Sequence, residues 1–264
     1  MGQFGVRDVL NCILKDRSTG EPKLMLRTLK VSNLDFSAAT VNAVGGRGAP
    51  ILLQFKGEKS IVLNCEEAMI STDFLQVMAG ATALTATATV SMFEIKTITS
   101  TGSVTAKYEP LGSTGDQKFV FKSSDGVTFG SALSYTAVAT ADTYQFTGTR
   151  FSFDPAGSGM NTGSTILLSY YFTASAATKT INFDSDNFSG YYTLEAETLW
   201  KNSEDGLDYP AIITADKVAL DDNFSIPMSN TGDPATFSFN ITCMKPSNDN
   251  TLLSLQILEG DPDS

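Results

Sequence analysis

Apolar and polar residues alternate with period two along most of this chain. In Lys59–Cys65 (KSIVLNC), Ile61, Leu63 and Cys65 share one face. In Tyr192–Trp200 (YTLEAETLW), Tyr192, Leu194, Ala196 and Trp200 oppose Thr193, Glu195 and Glu197, and in Thr236–Cys243 (TFSFNITC), Phe237, Phe239, Ile241 and Cys243 oppose Ser238, Asn240 and Thr242. Successive side chains of an extended strand point to opposite faces, so these segments predict half-buried antiparallel strands. Turn residues separate the strands at Ser18–Pro22 (STGEP), Ser123–Val127 (SSDGV), Asp154–Gly159 (DPAGSG), Ser203–Pro210 (SEDGLDYP) and Ser229–Pro234 (SNTGDP). Ser71–Gly80 (STDFLQVMAG) departs from the alternation. There Ser71 suits an N-cap, Asp73 favours the positive end of a helix dipole, Phe74, Leu75, Met78 and Ala79 share one face, and Gly80 can take a left-handed closing position. A helix of about two turns is marginal alone, so this one must pack on a sheet. The predicted class is all-β: an antiparallel sandwich or barrel with one short helix.

A shift in composition divides the chain. From Thr99 to Thr180 it is rich in Ser, Thr, Gly and Ala with aromatics at alternate positions, as in KFVFKSSDGVTF and TILLSYYF. Short strands at regular spacing predict a separate β-sandwich here. Residues 1–98 and 181–264 then form one discontinuous domain interrupted by an insertion at 99–180, an arrangement tolerated because loop-closure entropy grows slowly with length. Before Asp154 the inserted stretch holds four acidic residues, Glu109, Asp116, Asp125 and Asp142, so most negative charge falls to the flanks.

Net charge is −11 over 264 residues, which opposes a surface that grips nucleic acid by counterion release. The absence of histidine removes the commonest general base, the commonest metal ligand and every Ser/His or Cys/His pair. Cys12, Cys65 and Cys243 have no metal-knuckle spacing and are read as buried apolar residues. The N-terminus lacks a basic region followed by an apolar stretch, and no window reaches the roughly 18 apolar residues of a spanning helix, so a cytoplasmic product without membrane binding is expected.

Candidate chemistry is sparse. In Val41–Phe55 (VNAVGGRGAPILLQF), Gly45, Gly46, Arg47 and Gly48 lead through Pro50 into a strand. A phosphate loop would open a helix whose N-terminus receives the anion, so this loop is read as an interstrand connection presenting Arg47. Asp184–Gly190 (DSDNFSG) imitates a calcium loop but has Phe188 at a ligand position and Ser189 in place of the turn glycine. Glu195 and Glu197 point the same way from one strand with no partner across a cleft, so they do not form a glycosidase pair. No GxSxG or SxxK is present. No enzyme activity, cofactor or metal is expected.

Two blocks carry a resemblance. Phe36–Gly80 places Gly45, Gly46, Gly48 and Pro50 in a loop, then Glu67 and Ala68 at a strand end, then Leu75 and Gly80 in a short helix. Tyr191–Met244 carries Gly206, Asp208 and Pro210, then Asn223, Phe224, Ile226, Met228 and Ser229, then Gly232, Asp233, Pro234, Ala235, Phe237 and Phe239. This pattern resembles the tail tube, or major tail, proteins of tailed bacteriophages, with the central stretch looking like an inserted immunoglobulin-like domain.

The resemblance implies hexameric rings, stacked into a hollow tube through which genome DNA passes as non-specific cargo. It implies as partners further copies of the chain and tail proteins such as tape measure, terminator and, in a contractile tail, sheath. The chain would be a virion tail component assembled in the host cytoplasm. Six copies would carry about −66, which repels DNA phosphates where it faces the bore. Gly45, Gly46, Arg47, Gly48 and Pro50 become a contact to the next subunit or ring. Glu195 and Glu197 become candidates for the bore lining, with a solvated outer sheet face equally compatible. Two alternatives stay open. One is a decoration or adhesin binding host-surface glycan through the inserted sandwich, with Tyr135, Tyr144, Tyr170 and Tyr171 as stacking residues unless they are core. The other is the tube of a contractile injection device.

Overall fold

The computed structural model describes residues 3–6, 8–112, 118–123, 127–140, 143–154, 160, 162–228, 230 and 236–259. The turns expected at Ser123–Val127, Asp154–Gly159 and Ser229–Pro234 lie largely outside these residues, as do Gly232, Asp233, Pro234 and Ala235. The chain is all-β with one helix and forms two compact units, Met1–Ala83 with Ile181–Ser264, and Leu84–Thr180. Strand Thr89–Thr97 belongs to the central unit, where it pairs with Thr165–Thr173, so that unit begins ahead of Thr99.

In chain order the strands are β1 (Phe4–Val6), β2 (Asn11–Asp16), β3 (Pro22–Leu26), β4 (Leu29–Val44) and β5 (Ile51–Glu67), followed by α1 (Thr72–Ala79). The central unit holds β6 (Leu84–Thr85), β7 (Thr89–Thr97), β8 (Ser103–Thr105), β9 (Lys118–Ser123), β10 (Phe129–Ala132), β11 (Ser134–Tyr135), β12 (Thr143–Thr147), β13 (Arg150–Phe153), β14 (Thr165–Thr173) and β15 (Lys179–Thr180). The chain then returns through β16 (Tyr191–Asn202), β17 (Asp208–Leu220), β18 (Phe237–Cys243) and β19 (Ser254–Ile257).

The outer unit is built on one antiparallel sheet in the order β3-β2-β16-β17-β18-β5-β4, with β1 pairing β16 and β19 pairing β17. Its end strands, β3 and β4, are separated in sequence only by Arg27 and Thr28. The sheet therefore curls around a common core yet closes no barrel. The alternation expected from the sequence is realised: Ile61, Leu63, Cys65, Leu194, Ala196, Phe237, Phe239, Ile241 and Cys243 all enter that core. Helix α1 covers it. The Ser71 side chain accepts a hydrogen bond from the Phe74 amide at 3.0 Å, and Gly80 closes the helix at φ 61°. Phe74 packs its ring, tilted, 4.6 Å from Phe237 and 4.9 Å from Phe239, burial that contributes about 1.5–3 kcal/mol. Val77 is buried on this face and Leu75 only partly, a rotation of the expected stripe.

The central unit has two four-stranded sheets, β10-β9-β14-β7 and β11-β12-β13-β8, over a core that includes Ile98, Val120, Tyr144, Phe151, Ile166, Leu168 and Tyr170. Antiparallel β6 and β15 join its two ends. Its charges balance, six Lys and Arg against six Asp and Glu, whereas the outer unit has twelve against twenty-three, so the whole −11 resides in the outer unit.

Two stability predictions follow from this packing. A Cβ added at Gly80 would lie 2.2 Å from the Phe188 carbonyl oxygen, at a backbone angle that L-residues rarely adopt. Gly80→Ala is expected to lower unfolding free energy by about 1–3 kcal/mol in denaturant titration, where an unchanged midpoint contradicts the clamp. In the β2–β3 turn the Ser18 hydroxyl, the Ser18 amide and the Thr19 amide donate to the Asp16 carboxylate and lower its pKa to about 2. The stabilisation is full above the ordinary carboxylate range and fades as pH falls from about 4 through about 2. Thermal unfolding at pH 5 and pH 2 should therefore show a smaller acid-induced drop for Asp16→Asn than for wild type.

Candidate assembly surface

Strands β4 and β5, at 16 and 17 residues, far exceed the usual five or six. Only their inner ends lie in the sheet, because β18 stops pairing with β5 at Ile61. Beyond Phe36 and Ile61 they continue as a two-stranded ribbon, about eight residues per arm or roughly 27 Å long.

Register fixes what each side of the ribbon carries. Val41 pairs Phe55 and Ala43 pairs Leu53, whereas Thr40 pairs Lys56 and Asn42 pairs Gln54. Directly opposed residues share a face, so one side is apolar and the other polar. The Gln54 amide donates to Asn42 Oδ1 at 3.2 Å on the polar side. Along the uninterrupted stretch of β4 from Val31 to Ala43, Leu34 lies on the core side and Val41 and Ala43 on the opposite side. The apolar face of the ribbon thus continues the solvent side of the sheet, an inversion of the pattern at its base. Bulges at Glu58, with φ 42°, and at Leu52 adjust only the β5 register. Val41 is 68% exposed and Phe55 58% exposed.

The ribbon ends in the loop singled out from sequence. The Gly45 amide donates to Pro50 O at 3.2 Å, and the Ala49 amide donates to Gly46 O at 3.1 Å. Gly46 and Gly48 take φ 81° and 91°, the left-handed geometry that glycine accepts without strain, and Ala49 also stands at positive φ. Arg47 is held exposed at the tip. The loop joins two strands and so offers no helix N-terminus to an anion.

Glu195 and Glu197 stand on the solvent side of β16, opposite Leu194 and Ala196 in the core. Glu195 is ion-paired to Lys15. Glu197 is exposed, and its carboxylate takes part in no hydrogen bond or ion pair among the described residues. Trp200, expected on the packed side, is half-buried against Phe4 with its indole nitrogen unpartnered among the described residues. A shallow concavity on this sheet face is lined by Asn11, Ile13, Met25, Arg27, Glu197 and Ile212. The loop and the two glutamates are not brought together within the chain.

Of the four tyrosines considered for stacking, Tyr144 and Tyr170 are core, and Tyr135 packs against it. Tyr171 is exposed beside Phe93, Ile95 and Phe119 on the outer face of the β7-containing sheet. Charged groups lie on the other face: the Tyr170 hydroxyl and the Lys107 amide donate to Glu94, and buried Lys118 donates to the Leu111 and Gly112 carbonyls. Sequence inspection missed the outward placement of Val41, Leu53, Phe55, Phe93 and Phe119. Pairing the arms outward from Gly45–Pro50 in simple register sets Val41 opposite Gln54, and the bulge at Leu52 that brings it opposite Phe55 has no signal in the sequence.

Among the described residues no group of three or more His, Cys, Asp or Glu is arranged to hold a metal, and no helix is long and apolar enough to cross a membrane. Burial raises the thiol pKa of all three cysteines, Cys12 to about 12 and Cys243 to about 11. They are inert apolar residues of the core.

The match of a family model places this all-β chain in the class of structural, tube-type phage proteins. The chain belongs to the YomU/Tube protein family, whose model matches residues 4–255 and so runs through both units. A search of curated proteins finds no match.

Proposed function

We propose that the chain polymerises as stacked hexameric rings into the hollow tube of a phage tail, through which genome DNA passes into the host. The observation that carries this reading is the β4–β5 ribbon, which projects an apolar face with nothing of its own unit against it. A two-stranded ribbon is marginal in water, and an exposed apolar edge is an aggregation hazard unless a partner covers it. In a ring each copy supplies that partner to the next, and closure leaves no edge free. The acidic excess of the outer unit supports a conduit that DNA traverses without sticking. The Leu84–Thr180 unit is then an immunoglobulin-like decoration, and tape measure and terminator proteins, with sheath in a contractile tail, are the further partners of assembly in the host cytoplasm.

Arg47 serves the contact to the next subunit or ring. Arg47→Glu is expected to shorten or abolish tubes in electron micrographs while the melting temperature stays within about 1 °C, since surface changes usually stay within 0.5 kcal/mol. Tubes of wild-type length would refute the role.

A second reading is favoured by one observation, the outer face of the β7-containing sheet, uncharged among the described residues, with Phe93, Phe119 and Tyr171 exposed together. Such a face suits stacking on neutral glycan of the host surface. Retention of wild-type protein on a glycan matrix, lost in Phe93→Ser/Phe119→Ser, is the expected result, and equal retention of both proteins contradicts it.

A further inference from the structure

We infer that the concave face around Ile13, Met25 and Ile212 receives the β4–β5 ribbon of a second copy of this chain, with Arg47 of the incoming tip paired to Glu197. This rests on the assembly reading above and reassigns the Glu195 and Glu197 face from bore lining to subunit contact.

The face is a poor bore lining. Ile13 pairs Met25 on one side and Glu195 on the other, and Glu195 in turn pairs Thr214, so apolar side chains run through the row that holds the glutamate. The next row sets Glu197 between Asn11 and Ile212. Met25 is 49% exposed. Lys15 neutralises Glu195, and Arg27 lies at the margin of the concavity, so the patch lacks the unbroken negative field that keeps DNA mobile. Concave, partly apolar and bearing one unpaired carboxylate, it has the make-up of a docking site.

The occupant is identified by chemistry that the chain itself carries. The ribbon presents Val41, Ala43, Leu53 and Phe55 on one side and an exposed cation at its tip. Among the described residues neither the Arg47 guanidinium nor the Glu197 carboxylate has a hydrogen-bonding or ionic partner within its own chain. A second exposed apolar face, around Phe93 and Phe119, offers an incoming arginine no carboxylate on its outer side among the described residues. Apolar matching alone does not choose between the two faces; the unpaired charge does. A guanidinium pairs a carboxylate through two parallel hydrogen bonds, and such a pair fixes the register in which a featureless apolar ribbon settles.

The test is a charge exchange in the full-length protein. The concentration at which half of the protein sediments as polymer is measured for wild type, Arg47→Glu, Glu197→Arg and the double variant, with Glu197→Gln as the milder change and circular dichroism as the folding control. Each single reversal is expected to raise that concentration about tenfold or more, and the double variant to return to within about threefold of wild type. If Arg47→Glu is impaired but Glu197→Arg and Glu197→Gln polymerise normally, or the double variant is no better than the worse single, the pairing is overturned while the assembly reading stands. If wild-type protein forms no polymer at any concentration, both fall.

Discussion

Pairing between β4 and β5 continues past the point where the third strand stops, and the outer unit depends on that extension. As far as Ile61, β5 lies between β4 and β18 and delivers Ile61, Leu63 and Cys65 to the core. Beyond it the same hydrogen-bond ladder continues with no sheet behind it. The inner half anchors the outer half in register, so a ribbon too short of contacts to hold its shape alone is presented with defined faces. The inversion of polarity along β4 marks where the strand stops serving its own core. Within the unit the two residues between β3 and β4 keep the ends of the curled sheet near one another, with α1 over the core, so the ribbon leaves a packed body.

Much of this was legible in the sequence because it is local. Period-two alternation identified the buried faces of β5, β16 and β18, and the Ser71 and Gly80 caps marked α1 to within a residue. The glycine loop was correctly set between two strands, since glycines and a proline leading straight into an apolar run offer no helix start. The rest was hidden because it depends on distant pairing. Alternation in Val41–Phe55 is equally strong whether or not a third strand covers it, and only the end of the β18 pairing shows that none does. Likewise Tyr170 and Tyr171 are neighbours in sequence, one core and one solvent, and choosing between them needs the phase set by Ile166 and Leu168. Strand β7 falls on the flank side of a boundary set at Thr99 by composition, because its partner, β14, lies some seventy residues on.

Charge is partitioned as sharply as structure. The outer unit holds the whole net charge and the central unit is neutral, so in the proposed assembly repulsion between copies is concentrated where the apolar ribbon must overcome it. Under the assembly reading, raised ionic strength screens that repulsion and leaves apolar association intact, so polymer is expected to gain from salt even though the same screening weakens the single Arg47–Glu197 pair. The central unit is free of this conflict and can display an uncharged aromatic face.

The most direct measurement of the central claim is electron microscopy of the purified full-length protein across concentration and salt, with symmetry counted in projection. Sixfold rings or striated tubes of constant bore, more abundant as salt rises, are what the account predicts. Monodisperse monomers that persist at high concentration and high salt would contradict it.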